Sequence, residues 1–416
     1  MPFSEILQSI AQTFFAVWWV VIPLALFFIF RDLWLLYIQT QYVKAISWML
    51  LEVKIPKNIL TTPKAMEQIF AAAHGTYSHG IRFFEKWWDG KVEDWMSFEL
   101  VGYAGGVYFY IRLPSKYRNL IEAAIYAQYP NAEINAAPND YLELLPASLP
   151  NEVYDLSGMD IVLAREDAYP IRTYPYFEAI VEEQRLDPIA AVTEVMSKLK
   201  EGEMILIQIL VRPVGEAWKK KAEELIAKLI GTKSSKQFGL MSWISVFLRN
   251  LIFAIFVYPL WPDEAAKSEG PPNMLSSLTK GQKDVVEAIE EKIAKIGFET
   301  GIRFIYIDRR DSFTRANVAA VNGAFRQFDT QNLNRFRPDL HTLTKVHQPF
   351  KARRERSRKK MIFVNYRTFT MSKKVSILNI EELATIYHPP IVTVAAPMLQ
   401  RLESRKGGPP PTLPIE

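Results

Sequence analysis

The chain has 416 residues, 49% of them hydrophobic, and a formal net charge of +5, which suits a globular protein of two or three domains. It contains no cysteine, which excludes disulfides, thiolate metal sites and cysteine nucleophiles. Its 25 Phe and 10 Trp cluster in apolar runs near the N-terminus and around residue 250, which favours a membrane protein over a water-soluble enzyme.

The N-terminal region predicts one transmembrane helix. No charged residue occurs between Glu5 and Arg31, and the segment from Phe14 to Phe30 is almost wholly apolar. A helix of that length crosses about 30 Å of hydrocarbon. The segment lacks the basic start and small-residue cleavage site of a signal peptide. Basic residues follow the helix and none precede it, so the positive-inside rule predicts a single-pass protein of the cytoplasmic membrane, with its N-terminus outside and its bulk in the cytoplasm.

The residues that follow, up to position 50, predict a juxtamembrane helix. Trp34, Tyr37, Tyr42 and Trp48 have spacings that suit a helix lying in the membrane interface. A helix packed on the soluble part is an equally supported alternative. Residues 1–50 therefore form the first predicted region.

The region 51–150 predicts a first α+β unit. It begins with an alternating strand at 51–56 and a helix after Pro63 that carries Met66, Ile69, Phe70 and Ala73 on one face. A hairpin around the glycines of 102–106, a helix capped by Ser115 and a strand at 132–137 complete the order βαββαβ. That order is typical of ferredoxin-like folds.

The region 151–375 predicts a second unit of the same kind. Three similar strand-like segments begin at residues 107, 204 and 301, which indicates related units. Within the second unit we predict a strand at 174–183 and helices at 187–199, 218–231 and 284–297. The predicted fold class is thus α+β: an N-terminal transmembrane helix followed by two ferredoxin-like (split βαβ) cytoplasmic units, with an apolar insertion at 232–282 in the second.

The insertion contains an apolar run from Phe238 to Trp261. Arg249 and Asn250 interrupt it, and a central Arg costs about 2.5–3.5 kcal/mol in a membrane. We predict a segment that lies on the membrane or binds a partner. A buried core helix and a second membrane span remain alternatives.

The sequence shows no recognisable catalytic, cofactor or metal site. No P-loop motif occurs, and the nearest imitation, at 231–236, lacks the second glycine and follows a helix. The histidines have no metal-ligand spacing, and neighbouring carboxylates on a helix do not face each other. We therefore predict a protein that is not an enzyme and needs no cofactor.

The strongest charge feature is a basic run at 351–374. Three interpretations stay open: a solvated loop, a nucleic-acid contact or a contact with anionic lipid headgroups. The stretch 361–371 that follows the densest part resembles a strand. The candidate phosphate or lipid contacts are Lys351, Arg353, Arg354, Arg356, Arg358, Lys359, Lys360, Lys373 and Lys374.

The last region, 376–416, predicts a capped helix and a Pro/Gly-rich linker tail. Asn379 and Glu382 form a capping box at the start of the helix. The candidate partner-docking residues are Leu383, Tyr387, Arg401 and Arg405.

The segments "LNIEELATIYHPP" and "APMLQRLESRKGGPPPTLP" resemble the stretch that precedes the ATPase domain in membrane-anchored type IV secretion or conjugation-type ATPases of the FtsK/HerA class, especially those of small-genome bacteria. "EVKIPKNILTTPKAMEQIFAAAHG" is similar to the start of their soluble region, and the likeness covers most of residues 51–414. In those proteins a P-loop motor follows the linker. The resemblance implies a non-catalytic membrane scaffold that docks a separate P-loop ATPase subunit and forms a homo-oligomer. The alternative is a membrane-tethered protein that binds nucleic acid through 351–374.

Overall fold

The computed structural model describes residues 3–55, 61–137, 140–177, 187–231 and 278–390. The predicted apolar segment Phe238–Trp261 and the predicted linker tail therefore lie outside the described residues.

Helix α1, Phe3–Ala45, is one continuous helix of 43 residues that includes Pro23. Its part Ile22–Ala45 is long and apolar enough to cross a membrane, and almost none of it is buried against the rest of the chain. The predicted juxtamembrane region is helical as far as Ala45 and continues α1 without a break. Trp48 already belongs to the first strand.

One antiparallel sheet of nine strands forms the centre of the described structure. The strands are β1 Trp48–Lys54, β2 Met96–Tyr103, β3 Gly106–Pro114, β4 Glu133–Ala136, β5 Tyr154–Leu163, β6 Met204–Pro213, β7 Gly297–Arg309, β8 Phe336–Pro338 and β9 Ser376–Asn379. Their order is β4-β1-β3-β2-β6-β7-β5-β8, and β9 pairs with β7. The two halves meet where β2 pairs with β6, and from that seam outward each half has the same strand order.

The predicted hairpin is present. The turn between β2 and β3 uses Ala104 and Gly105, both with positive φ, as a two-residue turn of this kind requires. The strand predicted at 174–183 was wrong: Tyr174–Tyr176 is a 3-10 turn, and 178–186 lie outside the described residues. Strand β5 was missed. The three similar segments are β3, β6 and β7. Only β3 and β7 are equivalent strands of the two halves.

Helices cover both faces of the sheet. The remaining helices are α2 Lys64–His74, α3 Phe83–Trp87, α4 Arg118–Gln128, α5 Ala190–Ser197, α6 Ala217–Ile230, α7 Lys280–Ala294, α8 Ala316–Phe325, α9 Lys351–Arg367 and α10 Ile380–Ile386. The larger core packs α2, α4, α5, α8 and α10 against one face. The smaller core packs α9 and residues 141–149 against the other.

Local signals explain several of these helices. The predicted apolar face of α2 is buried, and α6 ends at Gly231 with φ +81°. The cap predicted at Ser115 was wrong, since that hydroxyl donates to the Ser47 carbonyl and α4 begins after a short 3-10 turn.

The sheet has two distinct ends. Trp48 pairs with Pro114 at the end that receives the chain from α1, which we call the anchor end. The β2–β3 turn and the start of β5 lie at the opposite end, which we call the outer end. The eight steps along β3 from Pro114 back to Gly106 separate the two ends by about 26 Å.

The segment that contains α3 packs on α1 through Gly90. This residue has φ +65°, and a Cβ there would lie 2.4 Å from the carbonyl carbon of Ile38. We expect Gly90→Ala to lower the free energy of unfolding by about 2–4 kcal/mol, because backbone strain and a clash with α1 add together. Denaturation in detergent measures the loss.

Gly80→Ala is the matched control for this substitution. Gly80 also has a positive φ, +104°, but no atom of the other described residues, its two chain neighbours aside, lies within 4 Å of the added Cβ. It should cost only the strain, about 1–2 kcal/mol. Equal losses in the two variants would contradict the close packing of Gly90 on α1.

Candidate functional site

The densest part of the basic run, 351–360, forms the first part of helix α9, which we call its basic half. The predictions of a loop at 351–360 and a strand at 361–371 were therefore wrong up to Arg367. Ile362, Phe363 and Tyr366 recur at helical spacing and are buried against the sheet. This apolar face fixes the second half of α9, and the charged first half continues the same helix.

The charges of α9 are divided between solvent and the protein. Lys351, Arg353, Arg354, Arg356 and Lys360 are exposed. Arg358 donates from Nη1 to the Leu343 carbonyl at 2.7 Å. Lys359 donates to both carboxylate oxygens of Asp155, at 2.7 and 2.8 Å. The structure thus brings seven predicted cations onto one helix and leaves five of them accessible to a partner.

A groove of about 670 Å³ runs beside the basic half of α9. Arg356, Lys359 and Lys360 line it from the helix, and Arg310 lines it from the end of β7. Glu152, Asp155 and Glu355 place carboxylates in the same groove, but Asp155 is neutralised by Lys359. The groove is therefore a mixed surface with an excess of positive charge.

The basic half of α9 lies at the outer end of the sheet. Asp155, which binds Lys359, pairs with Asp308 of β7. The preceding residue of β7, Ile307, aligns with Met204, and Met204 aligns with Tyr103 at the β2–β3 turn. That position is about 26 Å from the anchor end, whereas a surface charge is screened within about 8–10 Å. The position does not favour contact with lipid headgroups around α1.

The other predicted contacts are separate from this surface. Lys373 and Lys374 are exposed, but they lie in the loop between the end of α9 and β9, so they do not join the basic half of α9.

Two predicted docking residues were wrong. Leu383 and Tyr387 are buried in the larger core, where Tyr387 donates its hydroxyl to the Tyr110 carbonyl at 3.1 Å. They hold the chain together and are not accessible to a partner. Arg401 and Arg405 lie outside the described residues.

A row of polar side chains beneath α9 was not found from the sequence. Strand pairing aligns six residues across six strands, in the order Glu52, Tyr110, Glu99, Gln208, Arg303 and Asp160. Each residue alone interrupts an apolar strand, and only the register between strands brings them together.

The row fastens the end of α9. Arg303 is fully buried and donates to Asp160 Oδ1 at 3.0 Å, to Gln208 Oε1 at 2.9 Å and to the Asn365 carbonyl at 3.0 Å. Its other nitrogen donates to the Thr370 carbonyl at 3.1 Å. An arginine that binds the last carbonyls of a helix satisfies orphan acceptors and complements the helix dipole.

The other half of this polar row is also held by buried hydrogen bonds. Tyr141 donates to Glu99 Oε2 at 2.8 Å, and its oxygen lies 2.7 Å from the Tyr366 hydroxyl. Burial raises the pKa of both tyrosines well above the usual value, so both stay protonated. Burial also raises the pKa of Asp160, and Arg303 opposes that shift. These groups are enclosed and hydrogen-bonded, which is the arrangement of a structural network that positions α9.

Other candidates for chemistry are likewise engaged. His388 Nδ1 lies 2.8 Å from the Ala384 carbonyl, and its Nε2 lies 3.0 Å from Asp187 Oδ1. Within the described residues no group of three or more His, Cys, Asp or Glu side chains is placed to hold a metal.

The structure defines an α+β protein with an apolar N-terminal helix and a large antiparallel sheet that carries an exposed basic helix. The chain belongs to the family described as "Domain of unknown function (DUF8128)", whose model matches residues 39–398, from the last turns of α1 to beyond α10. A comparison with curated proteins found no match.

Proposed function

We propose that this protein is a non-catalytic, membrane-anchored scaffold of a type IV secretion or conjugation-like system, which docks a cytoplasmic P-loop ATPase. In this proposal α1 crosses the cytoplasmic membrane with its N-terminus outside, and the sheet with its helices lies in the cytoplasm. The observation that carries it is that the two ends of the sheet differ: the anchor end receives α1, and the outer end carries the basic half of α9.

The C-terminal part of the described chain supports this difference between the two ends of the sheet. Helix α10 starts near the anchor end, where Asn379 pairs with Gly297. It ends with Tyr387 bound to the middle of β3, and Pro389 then lines a small cavity together with Val53 and Ile55 near the outer end of β1. The chain therefore leaves the described structure from a fixed point on the side away from α1, which suits a linker that leads to a partner.

Buried polar contacts hold that exit point. Glu382 accepts from the backbone of Asn379 and Ile171, each at 2.9 Å, and pairs with Lys292 at 2.9 Å. Because α10 also packs on α2, the point at which the chain leaves α10 is connected to both halves of the sheet.

The strand order supports the finer fold proposal that each half is a ferredoxin-like unit. Each half has the βαββαβ sequence of elements and the order 4-1-3-2 in an antiparallel sheet. In the second half, α6, α7 and the predicted apolar insertion lie between the second and third strands. The two units then join edge to edge through β2 and β6.

The exposed cations of α9 favour a partner with an acidic surface. Four of them, Lys351, Arg353, Arg356 and Lys360, have no hydrogen bond or ion pair among the described residues. An acidic patch on the ATPase would complement them, and so would nucleic-acid phosphates. Binding of nucleic acid by α9 is therefore the second candidate function, favoured by the same exposed charges.

The test is to purify the detergent-solubilised protein from its native membrane and identify by mass spectrometry the proteins that accompany it. We expect a separate P-loop ATPase that is lost on deletion of 391–416 and reduced in the variant R353Q/R356Q/K360Q. The charge-matched control K220Q/K221Q/K228Q, on the exposed face of α6, should retain it.

Two results would contradict the scaffold proposal. One is recovery of the protein with no ATPase in any preparation. The other is recovery of nucleic acid that is lost in the α9 variant, retained on deletion of 391–416 and released by salt, which would establish the second function instead.

A further inference from the structure

The residues 82–88, which we call the aromatic segment, expose an unusual concentration of large apolar side chains. Phe83, Phe84 and Trp88 are 69%, 74% and 77% exposed. Arg82 and Lys86 are exposed beside them. Glu85 is turned back into the segment, where it accepts from the Arg82 backbone nitrogen at 3.0 Å and from Lys91 at 3.3 Å. The outward surface therefore presents aromatic rings and cations.

The aromatic segment is fastened to α1. The indole of Trp34 donates to the Trp87 carbonyl at 3.1 Å, and Gly90 lies directly against the backbone of Ile38. Leu33 and Tyr37 of α1 lie at this level and are each 59% exposed. Exposed apolar side chains of α1 and of the aromatic segment thus lie at the same level.

The level of the Trp34 contact along α1 corresponds to the lipid headgroups, and that of Ile38 lies just beyond them. Arg31 ends the uncharged stretch, and Trp34 and Ile38 lie about 4.5 and 10 Å beyond it along the helix axis. The headgroup region extends about 5–8 Å on each side of the hydrocarbon. Aromatic rings with neighbouring cations are the side chains that this region accommodates best.

We propose that the aromatic segment is a second membrane contact, which inserts Phe83, Phe84 and Trp88 into the headgroup region beside α1. The inference rests on the membrane anchoring contained in the proposed function. A single helix leaves the attached sheet free to tilt, whereas two contacts joined through Trp34 and Gly90 fix its orientation. The anchor end then faces the lipid, and the basic half of α9 faces away from it.

The cysteine-free chain allows a direct test with single-cysteine variants of the full-length protein in lipid nanodiscs. A nitroxide spin label is attached at Phe84→Cys or Trp88→Cys, and its accessibility to oxygen is compared with its accessibility to a water-soluble nickel chelate. Phe30→Cys on α1 is the lipid reference. Val153→Cys, which is exposed at the outer end of the sheet, is the water reference.

We expect the ratio of oxygen to nickel accessibility at positions 84 and 88 to exceed that at 153 several-fold, and to lie below that at 30. Ratios at 84 and 88 equal to that at 153, with position 30 in lipid, would overturn this inference and leave the membrane anchor intact. A water-like ratio at position 30 would overturn the anchor together with the inference.

Discussion

Lys292→Met should lower the free energy of unfolding by about 3–5 kcal/mol at pH 8, because it leaves a buried carboxylate without its counterion. Lys292 and Glu382 are both fully buried and lie 2.9 Å apart. The pair joins α7 to α10 and so fixes the point at which the chain leaves the sheet. Chemical denaturation of the detergent-solubilised protein measures the loss.

The effect of Lys292→Met should decrease as the pH falls. Burial raises the pKa of Glu382, and the Lys292 ammonium opposes that rise. Without the ammonium, the folded-state pKa rises further above the unfolded value. A carboxyl of this kind contributes stability below its unfolded pKa and loses that contribution as the pH rises through its folded pKa. The penalty should therefore be smaller at pH 5 than at pH 8.

Lys295→Met is the matched control for this prediction. Lys295 is adjacent to the end of the same helix and pairs with Glu381 and, at 3.6 Å, with Glu67, but its own side chain is partly exposed. Glu67 keeps a hydrogen bond from the Tyr174 hydroxyl. Its replacement should cost about 0–1 kcal/mol with little dependence on pH between 5 and 8. Equal losses for the two variants, or a loss at Lys292 that does not change with pH, would show that the buried pair does not act through its charge.

Periodicity and turn chemistry predicted the parts of the fold that depend on nearby residues. The buried face of α2, the hairpin of β2 and β3 and the end of α6 at Gly231 are all visible within a dozen residues of sequence. Strand β5 was missed because Asp155 and Asp160 interrupt its apolar pattern. Their partners, Lys359 and Arg303, lie 204 and 143 residues away.

The candidate site shows the same limit. The charges of α9 were evident, but their density concealed the helix, whose apolar residues occur only in its second half. Leu383 and Tyr387 appeared free for docking because Tyr110, which accepts from Tyr387, is 277 residues distant. The position of the basic residues at the outer end depends on strand register, which no local pattern encodes.

Arg303→Met should lower the free energy of unfolding by about 3–5 kcal/mol, because Asp160 is buried and loses its counterion. The Asn365 carbonyl at the end of α9 loses one of its two donors at the same time, and the Thr370 carbonyl just after the helix loses its bond to Arg303. Adding Asp160→Asn should recover part of the loss, since it removes the uncompensated charge. Arg310→Met, just beyond the same strand, should change stability by about 0.5 kcal/mol or less, because Arg310 is largely exposed.

Hydrogen exchange of the Arg303→Met variant tests whether the polar row positions α9 for its partner. Protection of the amides in residues 361–367 should fall more than that of α2 and α4 in the other half. Because α9 is one continuous helix, release of its end should also reduce recovery of the partner that binds its basic half. Loss of protection with full recovery of the partner would mean that Lys359 and Asp155 alone fix the basic half, and that the row serves stability only.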